Sequence, residues 1–171
     1  GTPLLVVHVS GREAAAEIAR ARTRGLPIFG ETCPQYLELT QRCLCAPGNE
    51  GNKFLCSPPL RTEADQRALW GALRRGELQV VSSDHSAYNF ETHPSLPMSR
   101  DAGWKRLAAK TMLDEHGKPL PFSKVPMGLP GLECRMPLLV SGALGGKLES
   151  LSQAVSLGST NPAKLYGLFP R

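Results

Sequence analysis

No run of about 18 uncharged apolar residues occurs in this chain of 171 residues, so no membrane-spanning helix and no membrane partner are expected. The N-terminus lacks a basic segment leading into an apolar core and cleavage site, so no signal peptide is expected. The five cysteines (Cys33, Cys43, Cys45, Cys56 and Cys134) contain no Cys-x-x-Cys pair, which excludes a zinc-finger spacing. Their odd number and irregular spacing fit reduced thiols in a cytoplasmic protein. No GxSxG, P-loop or GxGxxG stands in the right context. There is no internal repeat and no low-complexity segment. Net charge is +5, but the charges are interspersed rather than clustered. A mildly basic soluble surface is expected, with no nucleic-acid partner. Hydrophobic residues at 41% and charged residues at 20% are close to the globular norm. The chain is one domain of ordinary size or a piece of a larger one.

The pattern along the chain is α/β. Residues 3–8, Pro-Leu-Leu-Val-Val-His, form a continuous apolar run of the kind buried on both faces of a parallel sheet. Ser10, with Glu13 three residues on, has capping-box spacing ahead of a helix over 11–24. Gly25 ends that helix. Pro27 to Gly30 is a second apolar run, which completes strand–helix–strand. Residues 33–57 read as mostly irregular. Thr62 caps a helix over 63–75, with Leu69, Trp70 and Leu73 on one face and Gly76 after it. Leu78 to Val81 is a third strand, ending in Ser82-Ser83-Asp84-His85. From 86 to 128 the pattern weakens, with a helix at 102–115 amid prolines, and such an excursion after a strand suits a functional loop or lid. Residues 130–145 and 150–157 read as helical, and Thr160-Asn161-Pro162 opens a last short helix.

Parallel α/β folds gather ligands at the carboxyl ends of their strands. His8 closes the first strand and Asp84 the third. An imidazole and a carboxylate are good zinc ligands, and each also has a structural reading, as a hydrogen-bonder and a cap. Cys33, in Cys-Pro-Gln-Tyr, is reactive or a buried inert thiol. Ser57, before Pro58-Pro59, is a substrate donor or a turn residue. His85, His93 and His116 show no ligand spacing.

Five segments in register carry a resemblance. They are Val-Val-His-Val-Ser (6–10), Gly-Glu-Thr-Cys-Pro-Gln-Tyr-Leu (30–37), Cys-Ser-Pro-Pro-Leu-Arg (56–61), Leu-Gln-Val-Val-Ser-Ser-Asp-His (78–85) and Ser-Thr-Asn-Pro-Ala-Lys-Leu-Tyr-Gly-Leu-Phe-Pro-Arg (159–171). In this order the chain resembles the D-hydantoinase/dihydropyrimidinase family of the amidohydrolase superfamily, over nearly its whole length except 91–121. Relatives of the allantoinase and dihydroorotase type have His where this chain has Gln35.

The resemblance implies a partial (β/α)8 TIM-type barrel: strands six to eight plus C-terminal helices, residues 1–171 being the C-terminal portion of a single barrel domain. It implies zinc, two ions per complete active site, and ring opening of dihydropyrimidines or hydantoins to N-carbamoyl amino acids in pyrimidine catabolism. His8 matches the ligand after strand six. Asp84 matches the carboxylate after strand eight, which binds zinc, takes the nucleophile's proton as it attacks the amide carbonyl and passes it to the leaving nitrogen. Ser57 matches a residue that hydrogen-bonds the substrate's ring amide. Met127 falls where the family has Asn, at a position used through its backbone. The family's other ligands, including a bridging carbamylated lysine, lie outside this chain.

The resemblance also implies a small cyclic amide or ureide as substrate and a homo-oligomer, a homotetramer. A complete barrel takes about 250 residues, so activity is expected only in a longer parent chain. A truncated, non-catalytic paralogue acting through protein association and an allantoinase-like enzyme are the alternatives. The stretch at 91–121 is longer than the family pattern and reads as an insertion beside the active-site mouth.

Overall fold

The computed structural model describes residues 1–47, 50–87 and 125–170. Three parallel strands, β1 (Leu4–Val6), β2 (Ile28–Thr32) and β3 (Val80–Val81), pair in the order β1-β2-β3. Leu4 pairs with Ile28 and Val6 with Gly30; Glu31 pairs with Val80 and Thr32 with Val81. Parallel neighbours need crossovers, and two 12-residue helices supply them. These are α1 (Arg12–Thr23) between β1 and β2, and α3 (Glu63–Arg74) between β2 and β3.

β1 departs from the sequence expectation. It is shorter than the run 3–8 and is not buried on both faces: Leu4 and Val7 are exposed. Its only ladder among the described residues is to β2.

The start of α1 is a second correction. Gly11, not Ser10, takes the N-cap position, and no side chain of its own caps the helix. The Arg12 amide instead donates to Asp65 Oδ1 (3.1 Å) from α3. Ser10 is buried, and its Oγ accepts from Arg61 Nε, while Glu13 pairs with its neighbour Arg12. At α3 the expected Thr62 cap forms, as a reciprocal box with Asp65. One carboxylate therefore serves two helix starts.

Residues 33–57 are more ordered than the glycines and prolines indicate. A short helix α2 (Pro34–Glu38) follows β2 directly, and two 3-10 turns cover Gln41–Cys45 and Glu50–Phe54. Pro34 sits at the start of α2, where its missing N–H costs nothing. The C-terminal part comprises α4 (Arg135–Leu144), α5 (Leu151–Val155), a π turn (Ser156–Thr160) and α6 (Asn161–Leu165). The helix expected at 102–115 and the insertion at 91–121 lie outside the described residues.

The core lies between the sheet and these helices. Ile18, Leu69, Leu73, Leu78, Val81, Leu139 and Leu157 are all at most 4% exposed. Gly30 lets the layers close: a Cβ there would lie 2.4 Å from Leu78 Cδ2. Gly142 does the same for α4, where a Cβ would meet the Trp70 ring at 2.6 Å. The Trp70 indole donates to Leu37 O (3.1 Å), so α2 is pinned to α3. Arg135 donates to Val81 O and Gly158 O, which ties α4 to β3 and the π turn. The five cysteines are thiols, with no disulfide between them.

Candidate functional site

His8 and Asp84 leave the carboxyl ends of β1 and β3, at the same end of a parallel sheet. Both have left-handed backbones, with φ of 42° and 44°. Among the described residues they are the non-glycine residues in that region. A side chain there costs on the order of 1 kcal/mol, and such strain persists where the surroundings over-determine it.

The end of β2 lies between them and braces both. Val9 N donates to Glu31 O (2.7 Å), and Thr32 Oγ1 donates to Val9 O (2.8 Å), which holds the His8 turn. On the other side Ser82 N donates to Thr32 O (3.0 Å), and Ser82 Oγ donates to the buried Glu31 carboxylate (2.7 Å). Gln35, in the first turn of α2, donates through Nε2 to Asp84 Oδ2 (3.3 Å). Gln35 is buried, and among the described residues its Oε1 has no hydrogen-bond partner. A stranded acceptor of this kind costs roughly 1–3 kcal/mol.

Ser57 is exposed in the loop that reaches α3. The neighbouring Pro58 carbonyl accepts from Tyr36 Oη (2.9 Å) and from Cys56 Sγ (3.3 Å). Burial pushes the Tyr36 hydroxyl far above its ordinary pKa, so it remains a donor. Residues 34–38 therefore carry two braces side by side, Gln35 to Asp84 and Tyr36 to the Ser57 loop. Met127 is also exposed, and the next residue, Gly128, donates its amide to Leu55 O (2.9 Å). Leu129 bridges His85 in parallel fashion, and Ser86 N donates to Leu129 O (3.0 Å). The segment 125–129 thus connects the Asp84 turn to the Ser57 loop. His85 plays a structural part, since its Nδ1 accepts from Gly131 N (3.2 Å). His93 and His116 lie outside the described residues.

Cys33 is fully buried beside Ser82. Burial pushes its thiol up to about 12, with Glu31 and Asp84 adding to the shift. It is a neutral thiol at physiological pH, which agrees with the inert reading.

The donor set tests the fit to zinc. One imidazole and one carboxylate, each projecting from a strained turn at the sheet end, match zinc's preference for nitrogen and oxygen. Among the described residues no three His, Cys, Asp or Glu side chains gather closely enough to hold a metal. His8 and Asp84 fit as a part of a ligand set, not as a whole one.

No protein-family model matches the chain. Over all 171 residues it is 42% identical to a D-hydantoinase of Streptomyces coelicolor and 41% identical to one of Geobacillus stearothermophilus, covering 32% of each. The chain matches the C-terminal part of the D-hydantoinase/dihydropyrimidinase family. The solved dihydropyrimidinase of Brevibacillus agri superposes with a TM-score of 0.79 at 42% identity, covering 99% of this chain and 32% of that one. A D-hydantoinase from a Bacillus species gives 0.81 at 41% identity, covering 99% and 33%. The chain spans about a third of the length of the curated relatives it matches. Among the described residues no helix is long and apolar enough to cross a membrane.

Gln35 and Glu31 brace the candidate site, a part the sequence pattern does not assign them. A signal for them is present: Glu31, Thr32 and Gln35 are polar residues in 28–37, a mostly apolar stretch that runs from a strand straight into a helix start.

Proposed function

We propose that this chain supplies one sector of a zinc-dependent hydrolytic centre that opens cyclic amides, in a longer polypeptide that completes the ligand set. The rings are dihydropyrimidines or hydantoins and the products N-carbamoyl amino acids. The observation that carries this reading is the pair of left-handed, non-glycine turns that project His8 and Asp84 from the same end of a parallel sheet. The hydantoinase relatives, matched along the whole chain, support the substrate class.

In this reading β1, β2 and β3 are barrel strands six, seven and eight, and residues 1–171 belong to one barrel domain. His8 and Asp84 hold zinc, two ions sharing the completed site with a carbamylated lysine from outside this chain. Zinc, when bound, supplies Lewis acidity at the amide carbonyl and makes water nucleophilic near neutral pH. Asp84 accepts the proton of the attacking nucleophile and returns it to the ring nitrogen as the C–N bond breaks. Its exposure at the sheet end leaves room for that transfer. Ser57, with its loop held by Tyr36, offers its hydroxyl to the ring amide. Met127 contributes through its backbone, so the side chain there is free to differ. The working form is a cytoplasmic homo-oligomer.

The test is hydrolysis of dihydrouracil and of hydantoin by the full-length, zinc-loaded protein. Asp84→Asn keeps part of the metal but loses nearly all turnover, because an amide cannot shuttle the proton. Turnover by Asp84→Asn equal to the parent's sinks the assignment.

A further inference from the structure

We propose that Gln35 is a positioning residue for Asp84, holding the carboxylate in the orientation in which it binds metal. This rests on the reading of Asp84 as a zinc ligand. Asp84 is exposed on a left-handed turn. Among the described residues, the side-chain hydrogen bond that reaches it comes from Gln35 Nε2. Gln35 is the opposite kind of residue. It is 4% exposed, in a short helix whose other residues through Leu37 are buried too, between β2 and the Trp70 contact. A buried donor faces an exposed acceptor.

The Asp84 contact orients the amide. A carboxylate only accepts, so the nitrogen must face Asp84. That choice leaves Oε1 in the interior without a partner among the described residues. Turning the amide over to serve Oε1 would set oxygen against oxygen at Asp84. A glutamine kept for packing alone would satisfy both ends or give way to an apolar side chain of the same length. Here both partners of one contact carry a cost, a strained backbone on one side and an orphan acceptor on the other. Costs concentrated on one contact mark a site shaped for its ligand rather than for stability.

The experiment uses the full-length protein and Gln35→Met, which keeps the length and removes both polar atoms. Zinc affinity is read by competition with a chromophoric chelator, and unfolding of the metal-free protein by circular dichroism. The expected result is an affinity lower by about 10- to 100-fold with an unfolding midpoint no lower than the parent's. Gln35→Leu serves if the methionine variant does not fold. Unchanged zinc affinity in the folded variant overturns the proposal, and so does a lowered midpoint with unchanged affinity, which marks a structural role. Asp84→Ala separates the two readings. If it weakens zinc binding and Gln35→Met does not, only the positioning role fails. If Asp84→Ala leaves zinc binding unchanged, the ligand assignment fails with it.

Discussion

Asp65→Ala is the substitution whose effect is best determined by the structure. Asp65 is buried and acts at two helix starts at once. Its Oδ2 accepts from Thr62 N (3.0 Å) and Thr62 Oγ1, closing the box at α3. Its Oδ1 accepts from Arg12 N (3.1 Å), the first amide of α1. Losing a cap costs about 1 kcal/mol, and a donor left unserved at a second helix costs a similar amount. The sum is about 2 kcal/mol, or roughly 4–8 °C in melting temperature for a chain of this size. Asp65→Asn is the informative partner variant. Its single oxygen serves Thr62 or Arg12 but not both, so it falls between Ala and the parent. Urea or thermal unfolding followed by circular dichroism measures both. An alanine variant within about 0.5 kcal/mol of the parent, a surface-like effect, refutes the double-cap argument. The acid dependence provides a second arm. Burial alone would raise the Asp65 pKa, but the Thr62 side chain, the Arg12 and Thr62 amides and the Arg12 charge together hold it below its ordinary value. A carboxyl lowered in the folded state adds stability above its unfolded pKa of about 3.9. That contribution is lost as pH falls from there through the folded value. Asp65→Ala should therefore flatten the loss of stability below about pH 4.

Gly142→Ala should destabilise by about 1–3 kcal/mol, because its methyl would enter the Trp70 ring at 2.6 Å and push α4 off α3. A Trp70 fluorescence spectrum unchanged from the parent would contradict that packing. Thiol labelling near pH 8 should modify exposed Cys45 and Cys134 and spare Cys33, whose thiol burial pushes up to about 12; rapid labelling of Cys33 in the folded protein would refute its burial. His8→Gly should leave stability unchanged or raised, since glycine adopts a φ of 42° without strain, while zinc retention by the full-length protein falls. A lower melting temperature for the metal-free variant would show that the His8 side chain is structural.

The α/β class, the three parallel strands, the placement of α3 and the last short helix are legible in the sequence because they follow from local rules. Apolar runs separated by amphipathic stretches specify crossovers, Thr62 offers a cap, and Gly25 and Gly76, at φ of 75° and 71°, end helices as glycine alone does readily. The position of His8 and Asp84 at strand ends follows from the same runs. Ser10 shows the limit of local rules. It has the right spacing to Glu13, yet Asp65, 53 residues from Arg12, takes the cap instead. α2 shows it again: its helical turn rests on Trp70 and Leu37 meeting across the chain, which no window of neighbouring residues contains.

The sequence by itself determined where His8 and Asp84 fall relative to their strands, since period and punctuation are properties of neighbours. Only the tertiary structure decided what those residues face. The left-handed turns at His8 and Asp84, the α2 brace and the stranded oxygen of Gln35 arise from contacts between segments far apart in the chain. Such contacts form only when separate segments are packed against one another, and no spacing rule encodes the distance between them.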